Sequence, residues 1–200
     1  MLTDETKQIF YQALLDKNPD KDQHLVLKTS WIDTPLGPMV AIADDQLLYL
    51  LEFIDRRKLE REIERLRHRT QSVIVPGDSP LLTSIEAELA SYFAGHLKAF
   101  KTPLRLLGSP FQQLVWDALT QIPYGSTLSY AEQATSLGKP RATRAVANAN
   151  GANQIAIVIP CHRIINSNGE LGGYGGGISR KKWLIQHEKI WNIDDALVGS

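Results

Sequence analysis

Apolar residues fall in short alternating or continuous runs over much of the first fifty positions, and later recur mostly at helical spacing. Residues 25–31, 39–43 and 47–53 are rich in Val, Ile, Leu and Trp. Turn signals at Pro35-Leu36-Gly37-Pro38 and Asp44-Asp45 separate them, which predicts a small antiparallel sheet. Ahead of it, Ile9, Phe10, Leu14 and Leu15 predict a short amphipathic helix over 3–17, ending before Asn18-Pro19. After the sheet, Asp55 is placed to cap a helix over 56–69 with the stripe Leu59, Ile63 and Leu66. Its Arg-Arg-Lys start invites a nucleic-acid reading, but the interleaved Glu60, Glu62 and Glu64 favour a solvated, ion-paired face. Ser79-Pro80 then supplies an N-cap and a first-turn proline for a helix through Leu89 and Phe93, stopped by Gly95.

Ser109-Pro110 repeats that signal for a helix through Phe111, Val115 and Leu119 to Ile122, stopped by Pro123. Ser129 caps a short helix over 130–137, Gly138 ends it, and Pro140 starts another that runs to about Asn150, a spacing that reads as a helix-turn-helix. Many helical corners look alike and bind nothing. Ala142, Ala145, Ala147 and Ala149 make the second helix small-faced, unlike a major-groove reader. Two readings stay open: a buried packing helix with Arg144 at its rim, or a helix whose backbone approaches a minor groove with Arg144 as its one long side chain. Residues 155–159 are an apolar run that predicts a buried strand entering Pro160-Cys161, and a glycine-rich loop follows from Gly172 to Gly177. That loop lacks the strand context and lysine of a phosphate cradle. Ser179 caps a last helix over 180–189. The expected organisation is an N-terminal helical extension (1–24), an α/β domain (25–108), a second, mainly helical domain (109–191) and a tail (192–200).

Composition narrows the class. With 200 residues and 43% hydrophobic content the chain can bury a core. A single Cys excludes an internal disulfide and any multi-cysteine zinc site, so no metal and no cofactor is expected, and a reducing cytoplasm fits. No stretch has the length of a membrane span and the N-terminus has no apolar signal region. Net charge is zero, yet its distribution is uneven: residues 1–100 hold 12 Lys and Arg against 16 Asp and Glu, and residues 101–200 hold 10 against 6. The segment from Lys139 to Lys189, with 8 cations and 2 anions, surrounds the cysteine, as a site facing a phosphate backbone would.

On residue statistics Cys161 is a small buried hydrophobe. Its neighbours His162 and Arg163 offer the alternative of a reactive thiol. Pro160-Cys161-His162-Arg163, with Arg144 and Asn153 upstream and Gly173-Tyr174, Trp183-Leu184 and His187-Glu188 downstream, resembles the O6-alkylguanine-DNA alkyltransferases from about residue 109 to 188. Residues 25–100 resemble that family's N-terminal domain loosely. The resemblance implies an α/β N-terminal domain of ribonuclease H-like type and a mainly helical C-terminal domain with a winged helix-turn-helix.

It also implies an activity: irreversible, single-turnover transfer of an alkyl group from O6 of guanine, or more slowly O4 of thymine, to Cys161. By resemblance His162 takes the thiol proton through a water, Glu188 orients the imidazole, and Asn153 braces the cysteine turn. A base inside a duplex is out of reach, so the nucleotide is extruded; Arg144 would fill the stack and Tyr130 press on the adjacent phosphate, with Ala142, Thr143 and Ala145 along the docking helix. Tyr174, Gly175, Gly176 and Pro160 would line the base pocket, and some family members carry a larger residue where this chain has Gly175. The implied partner is alkylated double-stranded DNA, bound by a monomer through the minor groove. Residues 11–19 faintly resemble the start of the phosphotriester-sensing domain of adaptive-response regulators, without its cysteines. Two rivals remain. An alkyltransferase-like binder would have replaced the cysteine, and a cysteine hydrolase would need a histidine better placed than the next residue, since successive side chains point apart.

Overall fold

A computed structural model of the chain describes residues 4–17 and 25–198, with side chains up to residue 192. The expected extension lies partly outside the described residues, and so does the end of the 11–19 run. The chain divides into two compact units, residues 1–107 and 108–200.

The first unit opens with helix α1 (Asp4–Leu15), followed by strands β1 (Leu25–Ile32), β2 (Met39–Ala43) and β3 (Leu48–Phe53), helix α2 (Leu59–Thr70), strand β4 (Ser72–Pro76) and helix α3 (Pro80–Phe93). The sheet order is β3-β2-β1-β4. β1, β2 and β3 form the expected antiparallel meander, with Thr29 opposite Ile42 and Ala41 opposite Leu51. β4 corrects the purely antiparallel expectation, because it runs parallel to β1 with Leu27 opposite Ile74. Every residue of β2 and β3 is buried, as strands covered on both faces must be. Leu27, Val40, Ile42 and Leu50 pack with Leu14 of α1 and Leu59, Ile63 and Leu66 of α2, and α3 lies against β1 and β2. The outer edge of β3 is closed by the chain near Leu104, where Leu48 donates to the Pro103 carbonyl and Arg105 donates back to Leu48.

The start of α2 also departs from expectation. Asp55 does not cap it; the N-cap is Lys58, left-handed at φ 72° and without a side-chain cap. Arg56 turns inward instead, buried against Glu52 and Glu62, and the chain between Phe53 and Leu59 follows it.

The second unit contains α4 (Pro110–Thr120), β5 (Leu128–Ser129), α5 (Tyr130–Ser136), a 3-10 turn (Pro140–Ala142), α6 (Thr143–Gly151), a second 3-10 turn (Cys161–Arg163), β6 (Ile164–Ile165) and α7 (Ile178–Val198). The expected tail from residue 192 is therefore helical through Val198. Full capping boxes, Ser109 with Gln112 and Ser129 with Glu132, start α4 and α5. Gly138 takes φ 68° to end the α5 corner, a conformation an L side chain resists. The three helices are tied by buried polar contacts: Gln133 donates to the Val115 carbonyl, Asn150 to the Gln133 side chain, and Trp116 Nε1 to the Ala149 carbonyl. β5 and β6 pair in parallel, Leu128 opposite Ile164 and Ser129 opposite Ile165. That pairing brings the start of α5 beside the segment after Cys161.

The run 155–159 is not the expected strand. It is a buried turn in which Ile157 sits at φ 71° and Ile159 donates to the Ile155 carbonyl. Positive φ in a β-branched residue is strained and persists only where surroundings hold it.

Candidate active site

The holder is Asn153. Its Oδ1 accepts from the Ile155 amide at 3.0 Å and its Nδ2 donates to the Ile159 carbonyl at 2.9 Å, clamping the turn shut. The same Nδ2 lies 3.2 Å from Cys161 Sγ. Cys161 opens the 3-10 turn after Pro160 and is half-buried, so its thiol is held yet reachable.

Because the turn is 3-10 rather than extended, His162 and Arg163 both point inward, toward α7. His162 is fully buried and its Nε2 lies 2.8 Å from Glu188 Oε1. Arg163 grips the same carboxylate with a fork, Nε to Oε2 at 2.8 Å and Nη2 to Oε1 at 2.9 Å, while its Nη1 donates to the Ile122 carbonyl at 2.6 Å. The Gly125 amide donates to Glu188 Oε2 at 3.1 Å. Four donors thus converge on one buried carboxylate, close to its acceptor capacity.

This wiring fixes protonation. Burial raises the Glu188 carboxyl, but hydrogen bonds and charge from His162 and Arg163 outweigh it and hold the group well below the usual carboxylate range. An ionised carboxylate only accepts, so Nε2 of His162 carries a proton. Burial lowers His162 below its ordinary 6.5 despite the opposing pull of Glu188, so the ring is neutral at pH 7. In a neutral ring with Nε2 protonated, Nδ1 is a lone pair. Nδ1 is buried and makes no hydrogen bond with a described residue. The site therefore sets a thiol one residue before a neutral imidazole that a carboxylate orients.

Around the thiol, Tyr130 opens α5, its phenol raised above the ordinary value by burial and by nearby Cys161. Gly172, at φ 65°, approaches the Tyr130 ring so closely that a Cβ there would lie 3.2 Å from Cε2 and 2.9 Å from Asn166 Oδ1. The Tyr174 ring stands edge-on to His162 with centroids 6.4 Å apart. Pro160 and Gly176 are buried and Gly175 is exposed. On the helix-turn-helix, Val146, Ala149 and Asn150 of α6 face inward, Arg144 and Ala145 are exposed, and Ala142 and Thr143 are half-buried. The alanines thus divide between a packing face and an open face: the packing reading holds for the inner side, and Arg144 stands on the open one.

Sequence reasoning missed Lys181. It is fully buried, its Nζ donates to the Gly173 carbonyl at 3.0 Å and stands 5.9 Å from the Tyr130 ring centroid. Burial lowers it to about 8, and nearby Cys161 opposes the shift. A signal existed: Lys181, Leu184, Ile185 and Glu188 share one helical face at i, i+3, i+4 and i+7, although Arg180-Lys181-Lys182 reads as a solvated run. Arg163 was noticed as a motif member, but its fork on Glu188 was not foreseen.

Comparison with known proteins places the chain. The family model described as 6-O-methylguanine DNA methyltransferase, DNA binding domain, matches residues 110–190, and the one described as the ribonuclease-like domain of the same proteins matches residues 27–106. A methylated-DNA–protein-cysteine methyltransferase of Salmonella typhimurium is 42% identical over 164 residues, covering 78% of this chain and 92% of that one. One from Mycobacterium tuberculosis is 46% identical over 158 residues, covering 79% and 90%. The crystal structure of Mycobacterium tuberculosis OGT in complex with DNA superposes with a TM-score of 0.70 at 41% identity, covering 84% of this chain and 94% of that one. The chain belongs to the 6-O-methylguanine DNA methyltransferase family.

Proposed function

We propose that this chain repairs DNA by moving the alkyl group of O6-alkylguanine, and less efficiently of O4-alkylthymine, onto Cys161. The observation that carries the reading is the half-buried thiol set one residue before a buried, neutral histidine whose Nε2 is committed to Glu188.

In the proposed reaction the Cys161 proton passes through a water to Nδ1 of His162, and Glu188 supports the imidazolium that forms. Sγ attacks the alkyl carbon, the carbon–O6 bond breaks, and its electron pair stays with the base, which takes up a proton to become guanine. The product thioether has no route back to a thiol, so each molecule acts once. Asn153 donates to the developing thiolate, a hydrogen bond that favours the charged form. The Lys181 ammonium adds positive potential near the thiolate and holds Gly173, keeping the glycine loop against Tyr130.

Recognition follows from the exposed end of α6. Small Ala142, Thr143 and Ala145 allow close backbone approach to a minor groove, Arg144 fills the gap left by an extruded nucleotide, and Tyr130 presses on the neighbouring phosphate. Tyr174, Pro160, Gly175 and Gly176 border the space for the base. The working state is a monomer in a reducing compartment such as the cytoplasm, where a lone thiol survives. Among the described residues no helix is long and apolar enough to cross a membrane.

The test is a duplex carrying labelled O6-methylguanine. Label uptake should plateau at one equivalent per protein and vanish in Cys161→Ser, which should still bind the duplex. Uptake that continues past one equivalent, or survives in Cys161→Ser, would refute the reading.

A further inference from the structure

The acidic residues of α2 each have a cation beside them. Lys17, just after α1, lies 3.0 Å from Glu64 and 3.8 Å from Glu60, and Arg56 lies 3.0 Å from Glu62. Arg67 is buried and donates to the Leu14 carbonyl. Outward, cations outnumber carboxylates: Arg57, Lys58, Arg61, Arg65 and Arg69 are exposed, and the one exposed carboxylate of the helix, Glu60, is turned to Lys17. Among the described residues no carboxylate lies within ion-pair distance of Arg57, Lys58, Arg61 or Arg65. The carboxylates of α2 are mostly engaged with Lys17 and Arg56, while among the described residues Arg57, Lys58, Arg61 and Arg65 make no ion pair.

The geometry is linear. Arg61, Arg65 and Arg69 recur every fourth residue, about 6 Å apart along the helix axis, and Arg57 and Lys58 extend the row ahead of the first turn. Helix stability accounts for Arg69, a cation in the last turn, but not for Arg57, Lys58 and Arg61 at the other end. Cations at a helix N-terminus oppose its dipole, and the N-cap, a position that favours Ser, Thr, Asp or Asn, holds left-handed Lys58 with no side-chain cap. Residues that break local rules mark function more often than folding. Nor is the row part of a generally basic surface, since residues 1–100 carry four more acidic than basic side chains.

We infer that this arginine row of the N-terminal domain is a phosphate-backbone contact for duplex DNA, additional to the helix-turn-helix. A line of guanidiniums without carboxylate partners fits a line of phosphates, which such groups bind without reading sequence. The choice of DNA over another polyanion rests on the function proposed above.

The test uses the full chain with Arg57→Gln, Arg61→Gln and Arg65→Gln combined; Arg69 is spared because it donates to the Leu107 carbonyl. Binding to an unmodified duplex is titrated over a range of salt. The plot of log affinity against log salt should become shallower by about 2 to 3, and affinity at low salt should fall on the order of tenfold. Unchanged slope and affinity would overturn the inference. So would an unchanged slope with lost self-association in sedimentation, which would assign the row to a second copy. Alkyl uptake from free O6-benzylguanine is measured alongside and should be unaffected. If neither protein takes up alkyl, the proposed chemistry fails while the salt slope still decides the row.

Discussion

Asn153 Nδ2 lies 3.2 Å from Cys161 Sγ and 2.9 Å from the Ile159 carbonyl, so one amide both folds the turn and touches the nucleophile. Asn153→Ala removes the clamp and a donor to the thiolate together. Alkyl uptake from the free base should slow roughly ten- to hundredfold, the loss expected of one or two hydrogen bonds at a reacting atom. The pH at which Cys161 reaches half its maximal reactivity toward iodoacetamide should move up. A slower reaction with an unchanged pH midpoint would mean that the amide serves the turn alone.

Glu188 sets the acid limit of stability. Its folded carboxyl sits below the ordinary 4.5, so its contribution is present above pH 4.5 and lost as pH falls below that value. His162 is lowered from 6.5, so the unfolded chain takes up a proton first and stability also declines as pH falls below 6.5. Denaturant unfolding across pH should show both losses. Glu188→Gln strands the buried Arg163 guanidinium and should cost about 3 to 5 kcal/mol at neutral pH. A loss near zero would show that Arg163 finds another partner.

Lys181 acts with the same sign in an alkaline window. Its amine is lowered from 10.5 to about 8, so burial of the charged form weighs on the fold below pH 8 and is relieved as pH rises from 8 to 10.5. Lys181→Met should flatten that alkaline rise. It should also slow alkyl uptake from the free base at pH 7, where the ammonium is present; an unchanged rate would remove the lysine from the chemistry.

Arg144 is exposed on α6. Arg144→Ala should reduce repair of O6-methylguanine in duplex on the order of a hundredfold, because extrusion costs a few kcal/mol without a side chain in the gap. Reaction with free O6-benzylguanine should be unchanged. Equal losses on both substrates would contradict a stack-filling role.

Much of this was legible where the determinants are local. Ser109 and Ser129 cap α4 and α5 as expected because a capping box is written within four residues. β4 escaped notice because its evidence is non-local: five residues between α2 and Pro76 become a strand only through parallel pairing with β1. Residues 155–159 are buried as expected, but they form a turn and not the expected strand, since a side chain outside the run, Asn153, dictates their path. Cys161, His162, Asn153 and Glu188 were chosen by family resemblance, and spacing alone would have left Glu188 a surface carboxylate. Lys181 was lost inside a basic run because its burial depends on Tyr130 and Gly173, far from it in sequence or on another element.

The central claim is that Cys161 is a one-use alkyl acceptor. Peptide mass spectrometry after incubation with an O6-methylguanine duplex tests it most directly. The expected result is a single added methyl on the peptide containing Cys161, at one equivalent, with guanine restored in the DNA. A duplex that stays methylated beside an unmodified protein that binds it, or a methyl found on any other residue, would contradict the account.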